Sequence, residues 1–347
     1  MPRTLVVAGE PSPAERVARR AAEVGVRTVV VLPVGADLSM AADAAETADL
    51  ASADALAELA AREGAGGILA ASRRAASAVI EAAAALGLPG PGRDAVDAAT
   101  SRIALRRRLA DTGVPQPHFA AVRTFREGSS ALARVGLPAV IRPAEPWIDA
   151  GRFELVAPGD LEGVLYRTLA ASPNGEAIIE GAGDGAELEA ISFVADLHVT
   201  PIAVVDRATA ETRAYPSLLF ADRLTAATRA TSHAVHAAGI ASGVAVARLL
   251  ARARAVEVLD VSPWTPEDPL DALCRHAVGV DVLELAIRTA LGVDVPELMR
   301  RPRFHQAAAL RIGRVDGAAV AERGEGHVVI TATTNLEAVE RAAAVAT

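Results

Sequence analysis

Two apolar runs joined by one helix limit this chain's fold more than any other feature. "TLVVAG" (Thr4–Gly9) reads as a buried strand. From Pro13 to Val24 the apolar residues recur at helical spacing, Gly25 is a natural stop, and "RTVVVLPV" (Arg27–Val34) is a second strand. A strand–helix–strand unit this short implies parallel pairing, because antiparallel neighbours need only a tight turn. The alternation continues through a helix from Ala53, the strand "GGILAA" (Gly66–Ala71) and a helix over Arg73–Leu86. The first ninety or so residues are therefore expected to form a small doubly wound α/β domain, ended by the turn-rich "GLPGPG" (Gly87–Gly92). Its first turn, "GEPSP" (Gly9–Pro13), lacks the G-x-G-x-x-G spacing, which leaves dinucleotide binding with little support.

Beyond Gly92 the pattern becomes α+β. An arginine-rich helix, "TSRIALRRRLADTG" (Thr100–Gly113), precedes a short helix around Ser129–Val135 and the strand "PAVIRP" (Pro138–Pro143). Further strands are "EAIIEG" (Glu176–Gly181), "ELEAISFVAD" (Glu187–Asp196) and "HVTPIAVVDR" (His198–Arg207). A helix from about Leu224 to Ala238 leads into "GVAVARLL" (Gly243–Leu250) and "AVEVLDV" (Ala255–Val261), a tight hairpin across "ARAR". A helix over Val282–Gly292 and a strand–helix tail from His327 complete the reading.

Composition removes several functions. No run approaches roughly eighteen consecutive apolar residues, so no membrane-spanning helix is expected. The net charge of -8, without a basic face, argues against general nucleic-acid binding. The N-terminus lacks a basic region followed by an apolar core, so no secretory signal is expected. The single cysteine, Cys274, excludes an internal disulfide and fits a reducing cytoplasm. There is no lysine, so all 35 basic residues are arginines. Schiff-base chemistry is impossible, and any basic contact to phosphate must be a planar guanidinium fork. An alanine- and arginine-biased composition would by itself explain the missing lysines.

After "GLPGPG", the segments "SRIALRRRLADTGVPQP", "VGLPAVIRP", "IIEGAGDGAELEAISFV", "GVAVARL", "VLDVSPW" and "GVDVLELAIRTALG" follow in a characteristic order. That order and spacing resembles the ATP-grasp superfamily over nearly the whole chain, most like its biotin carboxylase, carbamoyl-phosphate synthase and amino-acid ligase branches. The resemblance implies a Rossmann-like pre-ATP-grasp domain over 1–92 and an ATP-grasp domain over 93–300 with a smaller lid subdomain at about 118–182. A strand–helix extension over 301–347 would pack on that core. It also implies ATP held between two α+β subdomains, and Mg-ATP converting a carboxylate into an acyl phosphate that an amine attacks. Family members often dimerise, so a homodimer is a possible assembly.

Against that resemblance the phosphate end is eroded. Mg²⁺ needs hard oxygen ligands in octahedral geometry, and it bridges phosphate oxygens as the γ-phosphoryl moves. Arg248 stands at a family glutamate, Ser262 at an asparagine and Trp264 at an arginine, while Asp260 keeps a carboxylate one methylene shorter. Asp260 is the one candidate metal ligand. The two phosphate-holding lysine positions are Arg102 and Arg142, and the glycine-rich loop has become "AEPWIDAGR" (Ala144–Arg152). Glu180 and Glu187 fall where family acids meet adenine or ribose; solvated strand-end acids are the alternative for both. Arg102 and Arg142 could still cradle an anion, although a basic helix face such as Arg102 with Arg106–Arg108 is usually only solvated.

Two hairpin registers are open for Arg248. In one it shares a face with Asp260 and Ser262, and an Arg248–Asp260 salt bridge would replace a divalent ion by a fixed charge. In the other it opposes Glu257 in an ordinary cross-strand pair. The first is the expectation, with Asp260, Ser262 and Arg248 as the catalytic candidates. Asp206, Arg207 and Trp264 are candidate substrate contacts. His233 with His236, and Cys274 with His276, are read as structural pairs, since no third metal ligand is evident and residues two apart on a helix diverge.

Three functions stay open. The chain is a non-ligating ATP-grasp homologue that binds or regulates, or an active ATP-dependent carboxylate–amine ligase with arginines for lysines. The third is an ATP-independent enzyme acting on an anionic substrate in the same cleft. The expected ligand is a nucleotide or small anion, with ATP possible, Mg²⁺ doubtful, and no nucleic acid or membrane partner.

Overall fold

Alternation of apolar faces decides the layers. The computed structural model describes residues 3–39, 42–253, 255–266, 269–312, 321–324 and 327–344. Arg254 of the expected hairpin turn and residues 345–347 of the expected tail lie outside them. Strand β1 (Thr4–Ala8) is buried throughout, with Val6 and Ala8 in one core cluster and Leu5 and Val7 in another. It pairs in parallel with β2 (Arg27–Pro33) and, on its other edge, with β4 (Gly67–Ala70), while β3 (Ala44–Ala48) adds to β2. The helix Pro11–Glu23 covers the Leu5 face, and the helices Ala53–Arg62 and Arg73–Leu86 cover the Val6 face. This is the doubly wound sheet expected for the first part of the chain. Only β3 escaped the sequence reading, because "AAETA" is a polar, half-exposed edge strand.

A second, antiparallel sheet has the order β5–β8–β6–β7, from β5 (Phe119–Val122), β6 (Ala139–Pro143), β7 (Phe153–Leu155) and β8 (Ala177–Gly181). The helices Phe125–Val135 and Leu161–Ala171 pack on one face over Ala139, Ile141, Ala177 and Ile179. The first is fixed by a capping box, in which Thr124 and Glu127 exchange side-chain and backbone hydrogen bonds.

The central sheet is antiparallel, in the order β13–β12–β9–β10–β11–β14–β16–β15. It contains β9 (Ala186–Ala195), β10 (His198–Arg207), β11 (Thr212–Tyr215), β12 (Gly243–Ala251) and β13 (Val256–Pro263). The strands β14 (Ala307–Ile312), β15 (Glu322–Gly324) and β16 (His327–Ala332) extend the same sheet, with the helix Asn335–Ala344 on Ala309 and Ile330. One face carries the helix Ala221–Ala237. The other carries the helices Leu270–Val278 and Val282–Ala290 against Ile191 and Phe193. Toward the start of β9 that second face changes from apolar to charged, at Glu189 and Glu187, and there the cleft begins. None of the described helices is long and apolar enough to cross a membrane.

Candidate active site cleft

Strand parity aims charge into the cleft from both sheets. On β6, Ala139 and Ile141 enter the core of their own sheet, so Val140 and Arg142 face the opposite way. The register Val140↔Glu180 and Arg142↔Ile178 puts Glu180 on that inner face. There Arg142 Nε donates to Glu180 Oε2 at 2.6 Å, and Arg106 Nε donates to Oε1 at 2.5 Å. All three side chains are at most 10% exposed. Burial pushes the Glu180 carboxyl up, but the two guanidinia outweigh it and hold it down at about 2. Burial would lower Arg142; the Glu180 charge outweighs that too, and the net direction is upward. Arg106 also donates to the carbonyls of Val258 (2.6 Å) and Leu259 (2.8 Å) on β13, joining the two sheets.

Arg102 is not a solvated helix residue. It is 4% exposed, and lies four residues from Arg106 on the buried face of the helix Arg102–Asp111. Its Nη1 donates to the carbonyls of Pro143 (2.9 Å) and Glu145, and its Nη2 to Pro146 (2.9 Å). Burial, then the nearby Arg142 charge, brings its pKa down to about 10, so it remains a cation at neutral pH. The loop that follows β6 is thus held by its own carbonyls. Glu145, 1% exposed, anchors it again by accepting from Ser172 Oγ (2.9 Å) and Asn174 N (3.3 Å).

The central sheet supplies the floor. The hairpin adopts the register Arg248↔Asp260, and Glu257 pairs with Arg252 at 2.8 Å instead. The expected Arg248–Asp260 salt bridge is nonetheless corrected: the guanidinium turns the other way, and Arg248 Nη2 meets Glu187 at 3.2 Å. Two features cause this. A bulge between Arg248 and Leu249 twists the β12–β13 ladder at this point. On the other flank, Arg248 directly opposes Glu189 on β9, with Glu187 its diagonal neighbour. Glu189 is already engaged, being 2% exposed and accepting from Arg213 Nε (2.8 Å) and from Arg207. Arg207 Nε also reaches Glu187 at 3.2 Å. Glu187, Glu189, Arg207, Arg213 and Arg248 are therefore one network.

Asp206 is not part of that network but lines the outer chamber beside Arg207 and Glu187. Its carboxylate accepts from Ser217 Oγ (2.5 Å) and Leu218 N (2.9 Å), pinning the turn after β11 to β10. Asp260 and Ser262 do line the cleft chamber above the floor, a space of about 340 Å³. Asp260 Oδ1 accepts from Val261 N at 3.0 Å. Trp264 borders the same chamber at 6% exposure, packed in the core, and its buried indole N–H has no hydrogen-bond partner among the described residues. His233 and His236 are exposed; Cys274 points into the core, and His276 Nε2 meets Glu322 at 3.0 Å.

These residues do not fit a magnesium ion. Glu189 is enclosed by two arginines, Glu187 is shared by two, Asp260 lies beside Arg248, and Asp149, on the floor chamber's rim, is 75% exposed and 3.6 Å from Arg73. Among the described residues no three His, Cys, Asp or Glu side chains are grouped to hold a metal. A second chamber of about 220 Å³ opens between the sheets, with Val140, Leu250 and Leu259 as apolar walls and the Gly181–Asp184 segment as its edge.

Three stacked units, with a charged cleft between the second and third, define the ATP-grasp fold, and this chain has it. A crystal structure of an L-amino acid ligase from Bacillus licheniformis superposes with a TM-score of 0.83 at 16% identity, covering 99% of this chain and 96% of that one. Carboxyaminoimidazole ribonucleotide synthase from Aspergillus clavatus, complexed with ATP, gives 0.80 at 16% identity over 99% of both chains. In sequence, a 110-residue stretch is 36% identical to the carbamoyl phosphate synthase large chain of Thermomicrobium roseum. That stretch is 30% of this chain, which spans only 10% of the curated relative's length. No protein-family model matches the chain.

The site residues missed in the sequence are Arg106, Glu189 and Arg213. Two of them carried a signal. Arg106 is four residues from Arg102 on one helix face, and Glu189 shares the parity of Glu187 on one strand. Arg213 had none, because β11 is four residues long and follows a polar turn.

Proposed function

We propose that this chain is a nucleotide-binding protein of ATP-grasp fold that does not carry out acyl-phosphate ligation. The observation that carries the reading is the commitment of Arg102, at a lysine position of the resemblance, to three loop carbonyls. A guanidinium in that state cannot also follow a moving γ-phosphoryl. Arg142, the other such position, has its Nε on Glu180. The loop that a ligase would need to close over phosphates is anchored at both Arg102 and Glu145. The chamber beside Gly181–Asp184, with an apolar wall of Val140, Leu250 and Leu259 and a charged one that includes Arg142 and Glu180, supports retention of the adenosine end, and the ATP and ADP of solved neighbours support nucleotide as the ligand class.

The same reading divides the chain at 1–92, 93–300 and 301–347, with the lid at about 118–182. It places the protein in the cytoplasm, which suits a single buried cysteine, and keeps homodimerisation as the assembly to be checked by solution mass. The active-ligase reading is favoured by one fact, that the neighbours are matched over nearly their full length.

Thermal denaturation with added ADP or ATP, alongside an ADP-release assay over a panel of carboxylates and amines, tests the reading. Nucleotide at a hundred times its dissociation constant should add about 2.7 kcal/mol of stability, with ADP release at the blank rate. Release stimulated by a carboxylate–amine pair would establish the ligase instead. Stabilisation by small anions but by no nucleotide would favour the ATP-independent enzyme.

A further inference from the structure

We infer that this cleft binds nucleotide phosphate without a divalent metal, with the Arg248 guanidinium as its resident cation. The inference rests on the nucleotide-binding reading and adds the ionic form of the ligand, a metal-free nucleoside phosphate.

Position comes first. Arg248 borders three chambers of the cleft: the slot between the sheets beside Gly181–Asp184, the floor around Asp260 and the outer space beside Glu187. A nucleotide seated in the slot must pass its phosphates over that side chain to reach the floor. Strand register fixes it there, opposite Asp260 on β13 and Glu189 on β9.

Charge comes second. On the floor, the four guanidinia of Arg73, Arg207, Arg213 and Arg248 face the carboxylates of Asp149, Glu189 and Asp260, with Glu187 as the fourth at the outer rim. That set is neutral as it stands, so a dication would add uncompensated charge beside a fixed guanidinium. A phosphate brings the opposite charge, which Arg248 meets once the exposed Glu187 carboxylate swings out to solvent. Arg248 donates only through Nη2, at 3.2 Å to Glu187, and its buried Nε has no hydrogen-bond partner. Glu187 is the most exposed carboxylate of the network, at 41%. It is the one that an incoming phosphate would displace, and a guanidinium fork suits the phosphate that replaces it.

Calorimetric titration of the full chain with ADP, once in excess EDTA and once in excess Mg²⁺, tests this. Binding in EDTA should be as tight as, or tighter than, binding in Mg²⁺, because the metal screens the charge that Arg248 receives. Arg248→Gln should weaken the EDTA affinity by about tenfold or more, as loss of a charged hydrogen bond does, while adenosine binds as before. ADP binding that requires Mg²⁺, or an Arg248→Gln protein with unchanged EDTA affinity, overturns the inference and leaves nucleotide binding standing. Absence of ADP binding in both buffers overturns the nucleotide reading itself. Mn²⁺ alone, followed by its electron paramagnetic resonance signal, should stay free in the presence of the wild-type protein; a bound signal at the cleft would also sink the inference.

Discussion

Glu180→Gln should destabilise the folded protein by about 3–5 kcal/mol, the range for removing one partner from a buried ion pair. The substitution keeps the shape and removes the charge. Arg106 and Arg142 would then lie almost fully buried without a counterion, and Arg102 is close enough to add to the repulsion. A surface pair would not behave this way, since water screens it and its loss is nearly silent. A companion variant separates charge from packing. Glu180→Leu combined with Arg106→Met and Arg142→Met should cost less than Glu180→Gln alone, because it leaves no uncompensated charge. Urea denaturation at neutral pH reads both. Equal midpoints for wild type and Glu180→Gln would mean that the triad carries no stability.

The same triad sets an acid limit. Glu180 is depressed from an unfolded value of 4.5 to about 2, so the folded state binds its proton less well than the unfolded state does. Its stabilisation is complete above about pH 4.5 and is lost as pH falls through about 2. The shift corresponds to about 3 kcal/mol. Wild-type stability should therefore fall between those limits, and Glu180→Gln should show a flatter profile there. Identical acid slopes would refute that assignment.

How much of this was legible in the sequence depended on whether a partner lay nearby in the chain. The parallel sheet could be read because β1 and β2 are apolar throughout and separated by one helix. The Arg248↔Asp260 register could be read because both residues belong to one hairpin. The destination of the Arg248 side chain could not, since Glu187 lies on a strand paired to the opposite edge of β12. Arg102 and Arg142 were legible as cations at phosphate-binding positions of the resemblance. Their engagement was not, because three of the acceptors are backbone carbonyls, which have no sequence signature. Asp206 was legible only in part for a related reason: an acid at a strand end suits a ligand or a turn equally, and its carboxylate holds Ser217 and Leu218 of the turn while bordering the outer chamber. Arg106 shows the reverse error. In the run Arg106–Arg108 it looked solvated, yet helical spacing from Arg102 already placed it on the inward face.

Gly67→Ala should be among the most damaging single-methyl changes in the chain. Gly67 is buried on β4, the edge strand of the parallel sheet, where that sheet leans on the end of the helix Val282–Ala290. A Cβ there would lie 2.0 Å from the Ala290 carbonyl oxygen and 2.7 Å from its carbon. Both obstacles are backbone, so no rotamer change relieves the clash. The sheet and the helix must separate by more than an ångström, and both are embedded in close-packed cores that extend from one into the other. Overpacking a core commonly costs about 1–3 kcal/mol, and a clash with fixed backbone belongs at or above the top of that range. Gly64→Ala is the internal control. Gly64 has φ +59° but open space around it, so only the left-handed backbone is penalised, by about 1 kcal/mol. The comparison also probes cooperativity. If the parallel sheet and the central sheet unfold together, Gly67→Ala should lower one shared melting transition much further than Gly64→Ala does. Two transitions, with only the earlier one shifted, would mean that this contact joins units that are stable on their own.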